Sequence, residues 1–497
     1  MKRHNRYFTS VLKQNSYCFA SVLKQNCIFV VENQYLLIMF KRTILFHLEQ
    51  WKTDMHRKPL VLRGARQVGK TTIVNEFGQQ FDNYLPLNLE KKESTALFDL
   101  EIPLKDLMPF LFAHCGVMRK EGTTLLFIDE IQNSPKAIGM LRYFYEELPG
   151  IYVIAAGSLL ENLVDVNVSF PVGRVQYMAL RPCSFREFLG AIGEEVLLPV
   201  LEQPEITIAF HDRLMTLFNL YTLVGGMPEA VQLYAERRDI LALSDVYETL
   251  LQGYRDDVEK YARRGLLIEV IRFILKEGWG KAAQIVTLGG FASSNYNARE
   301  VGEAFRLLEK AMIMELVYPT TATEVPAISE TKRMPKLVWL DTGLVNYAAQ
   351  VQKEVFGAKD IMDAWRGMIA EHIVAQELLT LTDKVSQKRN FWVRGKSESA
   401  AEVDFIWVQD SKIYPIEVKA GHNAHLRSLH SFMNRSSQTV AVRVWSQPYS
   451  IDEVTTIEGK TFQLVNLPFY LVGGLGEILK ETSVSFDGSL TLRDLHQ

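Results

Sequence analysis

At 497 residues the chain exceeds what one hydrophobic core ordinarily supports, so two or three domains are expected. With 47% hydrophobic and 23% charged residues it has the composition of a soluble globular protein, not of a disordered or fibrous one. A formal net charge of -3 excludes a uniformly basic nucleic-acid coat but not a local basic groove, and the four cysteines show neither a paired metal spacing nor a disulfide framework, which fits a reducing cytoplasm.

Residues 1–38 differ from the rest of the chain. Ser10-Val-Leu-Lys-Gln-Asn15 recurs as Ser21-Val-Leu-Lys-Gln-Asn26, but two copies cannot build a solenoid. The apolar patch from Cys27 to Phe40 is broken by Glu32 and Asn33 and falls short of the roughly 20 residues of a membrane span. No membrane partner is therefore expected. The basic start, Met1-Lys-Arg, is not followed closely by an apolar core or a cleavage site. The segment is expected to be a dispensable leader, an upstream extension with translation starting at Met39 being one form of it.

From Arg42 to Trp51 the pattern predicts an amphipathic helix. The apolar run Leu60-Val-Leu62 then reads as a buried parallel strand, and Thr72-Ile-Val-Asn-Glu-Phe77 as the start of a helix. Between them lies Gly64-Ala65-Arg66-Gln67-Val68-Gly69-Lys70-Thr71, a phosphate-binding loop pattern in the strand–turn–helix context it requires. Gly64 and Gly69 let backbone N–H groups face phosphates at the positive end of a helix. Lys70 is expected to reach the β- and γ-phosphates, and the Thr71 hydroxyl to hold Mg²⁺. Gly64 through Thr72 are thus the predicted ATP-binding residues.

Tyr84 to Glu90 alternates like a second strand, and Thr124-Leu-Leu-Phe-Ile-Asp-Glu130 is an apolar run ending in two acids. After a phosphate loop, such a strand is expected to deliver Asp129 to Mg²⁺ and Glu130 to the attacking water. A helix over Lys136–Leu148 and a strand over Ile151–Ala156 follow, ending in Gly157-Ser158. Ser158 either senses the γ-phosphate from the carboxyl edge of the sheet or caps the next helix. Gly173–Leu180 is the fifth predicted strand, and its Arg174 is either a charge-stabilising arginine or half of a surface ion pair.

Gly64-Ala-Arg-Gln-Val-Gly-Lys-Thr71, Phe127-Ile-Asp-Glu-Ile-Gln132, Ala156-Gly-Ser158 and Leu180-Arg-Pro-Cys-Ser-Phe-Arg-Glu-Phe-Leu189 together resemble prokaryotic ATPases of the AAA-type superfamily with a DUF4143 C-terminal region. The resemblance runs from about Met39 to about residue 445. It implies ATP binding and a helical lid over residues 200–255. Nucleotide is then the expected partner. An oligomer stays open, since AAA-type sites often borrow an arginine from a neighbouring subunit.

Residues 265–320 read as helices interrupted at Gly289-Gly290, with a last helix from Ala298 to Glu309 and a strand from Met312 to Tyr318. This order is similar to a winged helix-turn-helix. Residues 255–315 carry ten Lys/Arg against nine Asp/Glu, however, where a dedicated DNA reader shows a clearer basic face.

The C-terminal part carries a second pattern. A helix from Gly367 to Leu379 contains Glu371, and two adjacent hairpin strands, Ala401–Val408 and Ile413–Ala420, contain Asp404 and Glu417-Val-Lys419. Alternation puts Glu417 and Lys419 on one face. Asp404, Glu417 and Glu371 are the predicted Mg²⁺ ligands, with Lys419 steadying the nucleophile or the developing charge. The competing reading is ordinary cross-strand ion pairs, with Glu402 and Glu398 as alternative acids. The pattern resembles the PD-(D/E)xK nuclease superfamily, with Val403-Asp404 in place of the proline–aspartate. His422, His425 and His430 follow Lys419, either facing phosphate or solvated.

The expected fold is α/β: a P-loop NTPase parallel sheet over residues 39–195, a helical lid over 196–262, a winged-helix-like segment over 263–325 and a nuclease-like α/β domain over 326–497. Three functional readings compete. The first is an ATPase that drives or gates a nuclease-like module acting on nucleic acid. The second is an ATP-dependent switch whose nuclease-like fold only binds, and the third is a winged-helix DNA-binding regulator.

Overall fold

The computed structural model describes residues 40–100, 102–157, 171–262, 265–350, 367–395, 401–419 and 426–482. The leader, Ser158, Glu398, His422 and His425 lie outside the described residues. The chain divides into two units, Met1–Lys41 and Arg42–Gln497, and both sheets and their helices belong to the second.

Strands β1 (Leu60–Arg63), β2 (Asn83–Asn88), β3 (Thr124–Asp129), β4 (Ile151–Gly157) and β5 (Gln176–Ala179) form a parallel sheet in the order β2-β3-β4-β1-β5. All six residues of β3 are buried, the state in which a parallel strand reads as an unbroken apolar run. One face of the sheet is packed by Leu107, Leu111, Leu141 and Phe144 against Leu126 and Ile128. The helix that supplies Leu141 and Phe144, Pro135–Glu147, begins where Ser134 accepts the Ala137 N–H at 3.2 Å with proline in the first turn. Because β1 lies between β4 and β5, the chain leaving β1 turns at the carboxyl edge of the sheet, where open α/β folds bind ligands.

Helices Phe185–Ala191, His211–Val224, Pro228–Arg237 and Ser244–Asp256 follow the sheet. They pack through aromatic rings: Phe185 meets Phe218 edge-on at 5.1 Å, and Phe218 stacks on Phe469 of the C-terminal part at 5.9 Å.

A second, mixed sheet has the order β12-β13-β11-β10-β9-β8-β6-β7. Its strands are β6 (Met314–Thr320), β7 (Lys336–Trp339), β8 (Asn390–Val393), β9 (Glu402–Gln409), β10 (Lys412–Val418), β11 (Val440–Trp445), β12 (Ser450–Thr455) and β13 (Thr461–Pro468). The predicted hairpin is β9–β10, antiparallel with Ile416 opposite Phe405. The strand β6, read in the sequence as the end of a winged-helix-like segment, pairs antiparallel with β7 and parallel with β8. The segment boundary expected at residue 325 therefore falls inside one hairpin of the second sheet. Sequence alternation could not reveal this, because β7 is buried at all four positions and carries no period-2 signature.

A buried polar network ties the helices to the C-terminal part. Glu377, on the helix Met368–Thr380, accepts the Tyr221 hydroxyl at 2.7 Å and the Phe185 N–H at 3.1 Å. Asp341, also buried, accepts the N–H groups of Gly226 and Leu344. Burial pushes the Glu377 carboxyl up to about 7 and the Asp341 carboxyl up to about 6. A carboxyl raised in this way binds more protons folded than unfolded, so its contribution falls as pH rises from the unfolded value to the folded one and is level above it. Glu377→Gln keeps both acceptor contacts and removes the titration. Between pH 4.5 and 8, wild type is expected to lose about 3 kcal/mol of stability relative to Glu377→Gln, measured by urea unfolding. A difference that does not change with pH would mean that Glu377 folds as the anion.

A phosphate loop and a carboxylate cluster as candidate functional sites

The loop between β1 and the helix Lys70–Gly78 has the backbone that its sequence demands. Gly69 has φ 95° and Gln67 φ 65°, a pair of left-handed positions that turns successive N–H groups toward one point. At Gly64 a Cβ would meet the Leu180 carbonyl oxygen at 2.6 Å, so only glycine fits. Lys70 is buried, and its Nζ donates to the carbonyls of Gly64 at 3.0 Å and Ala65 at 2.8 Å. Burial lowers its ammonium to about 8, against the pull of Glu130 and Asp129.

Thr71 Oγ1 donates to Asp129 Oδ2 at 2.7 Å, so the loop and the end of β3 meet through the two side chains predicted to hold Mg²⁺. A hydroxyl and a carboxylate are the hard oxygen donors that this ion takes. Glu130 stands in a left-handed conformation (φ 52°), its N–H donating to Asp129 Oδ1 at 3.0 Å and its carboxylate accepting from Gln132. Burial, seconded by the Asp129 charge, raises its pKa despite the Gln132 bond. This poises the carboxyl to accept a proton. Thr72 is exposed on the first turn of the loop helix.

The loop rests on residues that the sequence patterns did not single out. Arg42 donates to the carbonyls of Val68 (3.3 Å) and Arg181 (2.7 Å) and pairs with Glu187 at 3.0 Å. Burial works to lower the Arg42 pKa, but Cys183 and Glu187 hold it above its ordinary value. Glu187 also closes a capping box with Ser184 and accepts the Thr43 N–H at 2.6 Å. The Ser184-Phe-x-Glu-Phe-Leu189 signature is thus a helix start whose glutamate backs the phosphate loop. On the other side Arg66 pairs with buried Asp257, beside the Tyr254 hydroxyl that reaches the Arg66 carbonyl at 3.4 Å. Ser-x-x-Glu is the spacing of a capping box, whereas pairs separated by 145 or 191 positions leave no local signal. Arg174 pairs with Glu146 at 2.8 Å on the surface, the second of its two sequence readings.

In the C-terminal sheet, Glu371, Asp404, Glu417 and Lys419 come together as the spacing implied. Asp404 Oδ2 accepts the Val418 N–H at 2.7 Å, and Lys419 Nζ lies 2.5 Å from Glu417 Oε1. A fifth residue joins them. Lys336, buried on β7, places Nζ 2.9 Å from Glu371, 2.7 Å from Glu402 and 3.5 Å from Asp404. Its ammonium stands where the carboxylates converge, and among the described residues no group of three or more His, Cys, Asp or Glu could hold a metal ion. The chain's own cation pairs with three of the acids, while Glu417, held by Lys419, keeps a buried Oε2 without a hydrogen-bond partner. The Glu371 and Glu417 carboxyls are each pushed up to about 7, first by burial and then by Asp404. The one hint in the sequence is a lone lysine opening the apolar run Lys336-Leu-Val-Trp-Leu340. His430 packs edge-on to Phe462 at 5.9 Å. No helix in the described residues is long and apolar enough to cross a membrane.

Residues 56–189 match the model of an AAA domain, residues 215–355 that of a domain of unknown function (DUF8612), and residues 366–470 that of DUF4143, also a domain of unknown function. No curated protein matches the sequence. Among solved structures, the chain is similar to the Walker-type ATPase PABY2304 of Pyrococcus abyssi, at 13% identity and TM-score 0.36, over 63% of this chain and 96% of that one. It is also similar to the Aeropyrum pernix ORC1 protein, solved in complex with DNA, at 11% identity and TM-score 0.25, over 64% and 92%. The parallel sheet and phosphate loop lie inside the AAA match, and β8 to β13 of the mixed sheet lie inside the DUF4143 match; the chain thus carries a P-loop AAA domain followed by a DUF4143 domain.

Proposed function

We propose that the chain hydrolyses MgATP at the phosphate loop and that this cycle gates a nuclease-like C-terminal module that binds nucleic acid, in the cytoplasm. The observation that carries the ATPase part is the 2.7 Å contact of Thr71 with Asp129. In this reading the N–H groups of Gly64, Ala65, Arg66, Gln67, Val68 and Gly69, with Thr71 and Thr72 at the helix start, cradle the phosphates. Lys70 leaves its two loop carbonyls for the β- and γ-phosphates. Thr71 and Asp129 would hold Mg²⁺, which neutralises charge on the phosphate oxygens when bound. Glu130 orients the attacking water and takes its proton, and Ser158, next in sequence after β4, would sense the γ-phosphate or that water. Asp129→Asn tests the reading: nucleotide affinity is expected to stay within a few-fold of wild type while Mg²⁺-dependent turnover falls by about 100-fold or more. Full turnover in that variant would mean that the metal is held elsewhere.

For the C-terminal module, Glu371, Asp404, Glu417 and Lys419 support a nuclease-like fold, and Lys336 supports a second reading, in which the module binds without cutting. A cleavage assay on plasmid and single strands, with Mg²⁺ or Mn²⁺ and with or without ATP, separates them. ATP-dependent cleavage that disappears in Lys419→Ala establishes the gated nuclease. Intact ATP turnover with no cleavage under any condition favours the switch, with the module left as a binding platform.

A further inference from the structure

A cavity of about 680 Å³ lies between β1, β6, the helix Ala298–Lys310 and the segment leading into β8. Seven lysine and arginine side chains line it against two glutamates, Glu309 and Glu315, in a chain whose formal net charge is -3. Its cations come from separate elements. Arg63 ends β1, Arg181 follows β5, Arg306 and Lys310 close the helix Ala298–Lys310, and Lys384 and Lys388 stand on the segment before β8.

The two glutamates are each committed to one of these cations, Glu315 to Arg389 and Glu309 to Lys388, so the other five positive side chains outnumber them. Glu315 holds Arg389 through Nη2 at 2.6 Å, Nε at 3.2 Å and the backbone N–H at 3.1 Å. Glu309 accepts the Leu316 N–H at 3.0 Å with Lys388 Nζ 4.0 Å away, and burial raises its pKa against these partners. Arg181 is left differently. Its side chain is half-buried along the cavity, and its Nε is buried without a hydrogen-bond partner. Burial lowers its pKa to about 10; Glu315 pulls the other way, while the Arg389 and Arg63 charges add to the lowering. A buried guanidinium nitrogen with an unmet donor, among like charges, is costly unless an acceptor completes it.

We propose that this cavity is a second anion site, separate from the phosphate loop, that takes a small molecule carrying two or more phosphate groups. Its volume is in the range of small-ligand pockets. The cations come from several walls, Arg63 and Arg389 buried and Arg306, Lys310, Lys384 and Lys388 exposed at the rim, instead of running along one exposed helix face, as a duplex reader would need. Guanidinium forks match phosphate oxygens bidentately, and lysines on the rim draw the anion in. The floor is also the root of the phosphate loop: Leu180 N–H donates to the Arg63 carbonyl at 2.7 Å, and Gly64 packs on the Leu180 carbonyl. An occupant would touch the strands on which the ATP loop is hung.

The test is isothermal titration calorimetry of inorganic pyrophosphate into the full chain carrying Lys70→Ala, which takes the phosphate-loop lysine out of the measurement. One site per chain is expected, weakened about tenfold or more by adding Arg181→Gln. The exposed rim variant Lys384→Gln, which disturbs no packing, is expected to weaken it several-fold and stands in if Arg181→Gln does not fold. Absence of binding overturns the proposal, as does binding indifferent to both substitutions. Displacement of pyrophosphate by a 20-nucleotide single strand at lower concentration also overturns it, assigning the cavity to nucleic acid instead.

Discussion

Lys70→Ala is expected to cost the chain most of its affinity for ATP while leaving it folded. The Nζ donates only to two carbonyls of its own loop, so truncation orphans two acceptors that other loop N–H groups and water can reach. Each charge-assisted hydrogen bond to phosphate contributes about 1.5–3 kcal/mol, and a lysine that reaches two phosphates makes about two of them. The expected loss is therefore on the order of 100-fold or more in Kd, measured by calorimetry with and without Mg²⁺. Affinity retained within a few-fold would remove the phosphate loop from the account. Wild type carries a pH signature of the same group. Its ammonium is lowered to about 8 by burial, and a bound polyphosphate raises it again. Binding therefore takes up a proton above pH 8, and affinity is expected to fall as pH rises from 8 to 10.

Lys336→Met is expected to produce the largest loss of stability, roughly 3–5 kcal/mol, because it strips a shared cation from carboxylates that stay buried together. Lys336 is 3% exposed, and Asp404 and Glu371 are 13% and 22% exposed, so water can only partly replace it. The deficit has a direction with pH. In wild type the Glu371 carboxyl already stands at about 7, raised by burial and Asp404 and held down by Lys336; without the ammonium it rises further. Folded Glu371 is protonated at pH 5 with or without Lys336, whereas at pH 8 the variant must either hold that proton against solvent or bury the carboxylate without its cation. The gap between wild type and variant is expected to widen from pH 5 to pH 8 in urea unfolding. A constant gap would mean that methionine costs packing alone.

The two sites differ in how far the sequence disclosed them. The phosphate loop is contiguous, its glycines are imposed by local backbone geometry, and its partner acids end a strand whose apolar run is itself a signal. Those residues and the parallel sheet were readable in advance. Glu371, Asp404, Glu417 and Lys419 were readable as a group because strand alternation and the hairpin bring them to one end of the sheet. Lys336 was not, since it joins them from a strand 68 positions before Asp404, through a sheet pairing that no periodicity encodes. Arg42 and the Glu187 that pairs with it were hidden for the same reason, although Glu187 stood inside the Leu180–Leu189 stretch that carried the resemblance. Helix and strand signals are local; the contacts that set charge balance are not.

The β6–β7 hairpin has a consequence for dividing the molecule. Its first strand is bonded to β8 and its second carries Lys336. A fragment beginning at Pro326 would keep β7 and β8 but lose the strand between them, leaving two open edges prone to stick to other chains. Cutting before Met314 keeps the sheet whole, yet parts it from the helix Ala298–Lys310, which packs on β6. Neither cut is clean. The helical segment and the C-terminal sheet share this hairpin, so any swing of one relative to the other must bend around it or unzip it.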